Sequence, residues 1–128
     1  MEFFTIFLEL FTSNLKFLLA LGILFAIDFI LGFTRGVFIE GIRSSKIKNS
    51  VVKAISYLGF SFLVLTLDTL LVLAPLGLNI SYLTMISILF MCGIEAKSIT
   101  ENLSDLGIDI PEIVKNVIDN LIKKGGKK

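Results

Sequence analysis

Apolar positions gather into three runs, at residues 17–36, 54–73 and 80–94, and polar positions fall between and after them. The first two runs are each long enough as helices to cross a hydrocarbon core of roughly 30 Å at about 1.5 Å per residue. The third is shorter, and its Ser81, Thr84 and Ser87 followed directly by Glu95 predict a helix that leaves the hydrocarbon while still winding. A re-entrant segment is the competing reading of so short a run. Ala74-Pro75-Leu76-Gly77 predicts a tight turn between the second and third runs.

Before the first span, residues 1–16 carry Phe3, Phe4, Ile6, Phe7, Leu8, Leu10 and Phe11 broken by Glu2 and Glu9, a pattern suited to a short helix lying in the membrane interface. The stretch lacks the basic n-region and small-residue cleavage site of a signal peptide, and is expected to stay on the mature protein. Beyond the third span, residues 95–128 read as a helical tail. Gly107 is placed to stop one helix and Pro111 to open the next. In that last helix Ile113, Val114, Val117, Ile118, Leu121 and Ile122 recur at the spacing of one face. Such a stripe must meet another copy, the rest of the protein or a membrane surface.

The expected fold class is therefore an all-α integral membrane protein. It has three transmembrane helices, an N-terminal interfacial helix and an amphipathic C-terminal helix. Charge sets its orientation. The interval 37–53, with the adjoining Arg35, carries Arg35, Arg43, Lys46, Lys48 and Lys53 against Glu40, whereas the connection between the second and third spans has no charge. The positive-inside rule puts this basic loop in the cytoplasm, the N-terminus outside and the C-terminal tail inside. Lys123, Lys124, Lys127 and Lys128 give that tail a basic end suited to an anionic leaflet.

Composition closes off other classes. A 128-residue chain that is 55% hydrophobic, with mean hydropathy +0.90, carries more apolar surface than a soluble domain of this size buries. It has no His and a single Cys92, which leaves nothing for a metal cluster, a disulfide framework or Cys–His chemistry. With no phosphate loop either, no enzyme activity, cofactor, metal or nucleic-acid partner is expected.

The acids inside the spans carry the functional question, because an ionised side chain in hydrocarbon costs roughly 2.5–3.5 kcal/mol even on lenient scales. Asp28 shares a stripe with Gly32 and Gly36, small residues that let another helix approach. Asp68 shares a side with Ser61 and Val64, and Glu95 aligns with Ser98 and Asn102. Each span thus bears one polar stripe. Either the acids are protonated and hydrogen-bonded in a packed bundle, or the stripes line water in an assembly of several copies, since three short spans cannot enclose a pore alone. Asp28, Asp68, Glu95, Ser98 and Asn102 are the candidate pore-lining or gating residues, and Gly32 and Gly36 the packing residues.

Asp28-xxx-Gly32, the basic loop with Ser44-Ser45-Lys46 and Lys53, Asp68, then Glu95-xx-Ser98-Ile99-xx-Asn102-Leu103 and Gly107-Ile108-xx-Pro111 together resemble the phage lysis and toxin-secretion holin family, which includes the holin of clostridial toxin loci. The resemblance spans residues 24 to about 122. It departs at Asn49-Ser50, where a glycine is expected, and at Ile94, where a polar residue is. It implies an inner-membrane homo-oligomer that opens a lesion in the lipid bilayer for an endolysin, causing host cell lysis, or for a large toxin, with an antiholin as a further partner. Two other readings stay open: a membrane-anchored scaffold that recruits a partner through the C-terminal helix, and a small ion- or proton-conducting subunit.

Overall fold

A computed structural model describes residues 2–41, 44–74 and 83–126 of the chain. Among these the elements are all helical: α1 (Glu2–Ser13), α2 (Leu15–Arg35), a π-helical turn (Gly36–Glu40), α3 (Ser44–Leu73), α4 (Leu83–Asp105) and α5 (Glu112–Gly126). Three segments are long and apolar enough to cross a membrane, Leu15–Ile39, Ile47–Leu73 and Leu83–Asp105, and helices before and after them complete the expected class.

Helix ends differ from the expected boundaries for local reasons. The basic interval 37–53 is largely helical. Gly36–Glu40 continues α2 as a π turn, Gly41 adopts a positive φ of 83°, and α3 is already wound at Ser44. No Gly or Pro lies between Ser44 and Lys53 to stop the helix, so it runs from the polar interval into the apolar run without a break. The third helix likewise passes through Glu95 to Asp105. Its 23 residues span about 34 Å, enough to cross a bilayer core. Glu95 therefore sits in mid-helix, in a helix that keeps winding past the apolar run as its sequence predicts.

The end of α4 is built as the sequence predicts. Gly107, at φ 90°, donates its N–H to the Ser104 carbonyl at 3.0 Å, and Ile108 donates to Leu103 at 2.9 Å, the paired bonds of a Schellman motif. Pro111 directly precedes α5, and its carbonyl accepts from Val114 N–H at 3.0 Å and Lys115 N–H at 3.3 Å. The chain thus turns back, and α5 packs along α4. A Cβ added to Gly93 would meet Ile122 Cγ1 at 2.8 Å and Leu121 Cβ at 3.2 Å, so the absent side chain is what lets α5 seat there. The amphipathic stripe of α5 is met by this chain itself through Ile118, Leu121 and Ile122, while Ile113, Val114 and Val117 stay exposed.

α2 packs chiefly on α4, and α1 on α3, where Phe7 stacks with Phe62 at 6.3 Å between ring centroids. The buried core comprises Leu21, Ile88, Met91 and Cys92, with Phe17, Leu18, Leu24 and Tyr57 against it. Between α2 and α3 runs an apolar cleft of about 420 Å³, bordered by Phe11, Leu18, Phe25, Leu58 and Phe62. Most large apolar side chains elsewhere on the spans point outward, as helices facing lipid require.

Candidate functional site: polar networks between the spans

On α3, Lys53, Tyr57, Ser61, Val64 and Asp68 follow one another at intervals of four, four, three and four, which places them along one side of the helix. On α4 the same periodicity aligns Glu95, Ser98, Asn102 and Asp105, and on α2 it aligns Asp28, Gly32 and Arg35. These stripes face one another, and their polar groups pair across the interfaces.

Lys53 is the hub. Its Nζ lies 2.8 Å from Asp28 Oδ2 and 2.9 Å from Glu95 Oε1, so one ammonium joins all three spans. The Phe25 ring also lies under it, 5.4 Å from centroid to nitrogen, and Phe25 meets Tyr57 edge-on. Tyr57 donates its hydroxyl to Glu95 Oε1 at 2.6 Å. Glu95 is wholly buried, and its Oε2 has no hydrogen-bond partner among the described residues.

Asn102 extends the network toward the end of α4. Its Nδ2 donates to Asp28 Oδ1 at 3.0 Å, and its Oδ1 accepts from Arg35 Nη1 at 3.3 Å. Arg35 in turn pairs with Asp105 at 3.0 Å, close to the α4 C-terminus, where a cation suits the helix dipole. Asp28 lies seven residues before Arg35 on α2, about 10 Å along the axis. It is thus close to the middle of the Leu15–Ile39 span, and its neighbours bring polar partners to that depth. Beside the network is a cleft of about 220 Å³, bordered by Asp28, Gly32, Arg35, Asn49, Ser98 and Asn102.

Asp68 stands apart. It is fifteen residues from Lys53 on α3, about 22 Å along the helix. Its Oδ2 accepts from the Thr84 backbone N–H at 2.7 Å and from the Thr84 hydroxyl. The first N–H groups of a helix have no partner within it, so Asp68 caps α4 from a neighbouring helix. Ser61 and Ser87 are buried residues of the same interfacial stripes.

Of the candidate gating residues, then, Asp28, Glu95 and Asn102 join one network, Ser98 borders its cleft, and Asp68 belongs to a second contact. Of the two packing candidates, Gly32 faces Asn102, whose Nδ2 would lie 3.8 Å from an added Cβ, and Gly36 faces the Gly41 carbonyl at 3.6 Å. Among the basic-loop residues, Lys53 is drawn between the spans, Arg35 closes the network and Lys48 is exposed. Lys123 and Lys124 are exposed on α5. Arg43, Lys127, Lys128, the Lys46 side chain, Ser81 and the turn at 75–77 lie outside the described residues. Sequence reading passed over Lys53 and Tyr57 as partners of the acids. Extending the Asp68–Val64–Ser61 stripe backward by two turns finds both.

A helical bundle with three apolar spans, its intramembrane acids bonded across the interfaces, defines a multi-pass membrane protein. The sequence matches the bacteriophage holin family over residues 5–123, nearly the whole chain, and the chain belongs to that family. Neither a curated protein nor a solved structure matches it. The family is one of non-enzymatic, pore-forming membrane proteins, and membership together with the three apolar helices makes this chain a holin-type protein of the inner membrane.

Proposed function

We propose that the chain accumulates in the inner membrane as a closed bundle and then assembles with other copies into a lesion that lets a cytoplasmic endolysin, or a large secreted protein, leave the cell. The observation that carries this reading is the Lys53 bridge. A single side chain neutralises acids from two other spans, and it does so beside an apolar cleft separating α2 from α3. Removing one member of a buried ion pair leaves an uncompensated charge, whereas the intact set holds the helices in one arrangement. The network therefore has the character of a latch. Closed, it satisfies Asp28, Glu95 and Asn102 within one protomer; opened, it exposes them to water between protomers. The N-terminus lies outside and the basic interval inside, in keeping with the placement of Arg35, Arg43, Lys46 and Lys48. An antiholin would act by holding the closed bundle.

The test is induced expression in a bacterium with and without a co-expressed cytoplasmic endolysin, following culture density and escape of a folded cytoplasmic reporter. Abrupt growth arrest with reporter release, and lysis only when endolysin is present, is the expected result. Depolarisation without reporter release would point instead to a small ion-conducting subunit. Continued growth without either would leave the scaffold reading.

A further inference from the structure

The two clefts between the spans differ in kind. The larger, about 420 Å³, is walled mainly by Leu18, Leu21, Phe25, Leu58, Phe62 and Leu65, and an apolar space of this kind gives water no partners. The smaller, about 220 Å³, has Asp28, Arg35, Asn49, Ser98 and Asn102 on its walls. At roughly 30 Å³ per molecule it has room for about seven waters, and its lining supplies the two to four polar partners that each water needs. Among the described residues, the side chains of Ser98 and Asn49 make no hydrogen bond within the chain, which leaves both for water. The mouth of this cleft lies at the charged end of the bundle, where Asn49 is exposed and Arg35 pairs with the exposed Asp105 at the end of α4. Its floor is Asp28 and Asn102, both buried, about 10 Å along α2 from Arg35. Behind the floor the packing closes. Leu21 meets Ile88, Met91 and Cys92, with Leu24 and Tyr57 against them. Beyond that core Thr69 donates its hydroxyl to the Leu65 carbonyl and Thr84 donates to Asp68, so neither offers water a path.

We infer that the smaller cleft is a one-sided aqueous vestibule: in the closed bundle, water enters at the end bearing Arg35 and Lys48, reaches Asp28 and Asn102, and stops at the Leu21–Ile88–Met91 core. A polar group within a span is tolerated where it lines a water-filled cavity, and the vestibule is what lets Asp28 stand in mid-span. Lys53 Nζ lies 2.8 Å from Asp28 Oδ2, so a solute at the floor of the vestibule meets the Lys53 bridge directly. Under the orientation proposed above, the bridge is open to cytoplasmic solutes and shielded from those outside. The inference concerns the closed bundle alone and holds whether or not copies go on to form a lesion.

Thiol accessibility tests this. In a Cys92→Ala background, Ser98→Cys places a near-isosteric thiol in the vestibule, and Gly32→Cys is a second variant there, its Cβ at ordinary contact distance from Asn102. Ser61→Cys puts the same change on the wall of the apolar cleft, and Lys48→Cys marks the side of the exposed basic interval. Each full-length variant is treated with a membrane-impermeant methanethiosulfonate in right-side-out and in inverted membrane vesicles. Only vesicles that retain a trapped dye are scored, so that no lesion admits the reagent. Because a thiol reacts as its hydrated thiolate, Ser98→Cys and Gly32→Cys should react from the Lys48→Cys side within about tenfold of its rate, and Ser61→Cys at least about a hundredfold more slowly from either side. Two inert vestibule cysteines beside a reactive Lys48→Cys would overturn the inference, as would their reaction from the opposite side. Fast reaction of Ser61→Cys would overturn it too, since water would then pass the core. None of these outcomes bears on the lesion-forming reading, which the release assay tests separately.

Discussion

Lys53 on α3 reaches Glu95 on α4 at 2.9 Å while holding Asp28 on α2 at 2.8 Å, and Glu95 has no exposed surface. One cation therefore serves two acids on two other helices, and the stability of the closed bundle depends on it. Replacing Lys53 with Met keeps the aliphatic stem but leaves both carboxylates without their counter-ion. Since Lys53 is about one-third exposed, the loss falls at the low end for a buried pair, about 3 kcal/mol. Thermal unfolding in detergent should show it. Adding Glu95→Gln to Lys53→Met should restore at least half of the loss, because the more deeply buried charge is then gone.

Tyr57→Phe removes a single hydrogen bond to a charged acceptor and nothing of the ring packing. A loss of about 1.5–2 kcal/mol is expected in the same unfolding assay, smaller than for Lys53→Met. An equal or larger effect would mean that the hydroxyl, not the ammonium, is the principal partner of Glu95.

At the other contact, Asp68→Ala strips the first turn of α4 of its cap. A cost of about 1–2 kcal/mol follows, with faster amide hydrogen exchange at Thr84 than at residues in the middle of α4. Thr84→Val keeps the backbone donor and should cost less than Asp68→Ala. Exchange at Thr84 that does not change in Asp68→Ala would remove the capping role.

The two glycines facing neighbouring helices should respond differently. Gly32→Ala places its methyl at ordinary contact distance from Asn102 and should leave unfolding within about 0.5 kcal/mol of the parent, or raise it through better helix propensity. Gly93→Ala drives its methyl into Ile122 and the α5 backbone, an overpacking cost of about 1–3 kcal/mol. Limited proteolysis between α4 and α5 should accelerate in Gly93→Ala alone.

Much of this architecture is legible in the pattern of apolar runs, because spans must be long and apolar wherever they meet lipid, and Gly107 and Pro111 mark the α4–α5 turn by backbone chemistry alone. The extent of α3 is less legible. Polar residues such as those at 44–53 are compatible with both loop and helix, and tertiary packing decides between them. Lys53 illustrates the same ambiguity at the site. Counted with Arg43, Lys46 and Lys48, it reads as a topology signal; counted with Tyr57, Ser61 and Asp68, it reads as the cation on a helix face. Its pairing with Asp28 and Glu95 depends on how three helices pack, which no single-helix periodicity contains. The seat of α5 was similarly hidden, since the stripe shows that a partner is needed but not that Gly93 provides it.

Opening of the bundle turns on whether the Lys53 bridge holds the closed state. The most direct measurement is the time from induction to release of a folded cytoplasmic reporter in Lys53→Met and in the original protein, at matched accumulation in the membrane. If the bridge is the latch, release comes earlier in Lys53→Met and at a lower amount of protein per cell. Release at an unchanged time and unchanged accumulation would contradict the account, and would reduce the network of Asp28, Lys53 and Glu95 to a packing device without a part in opening.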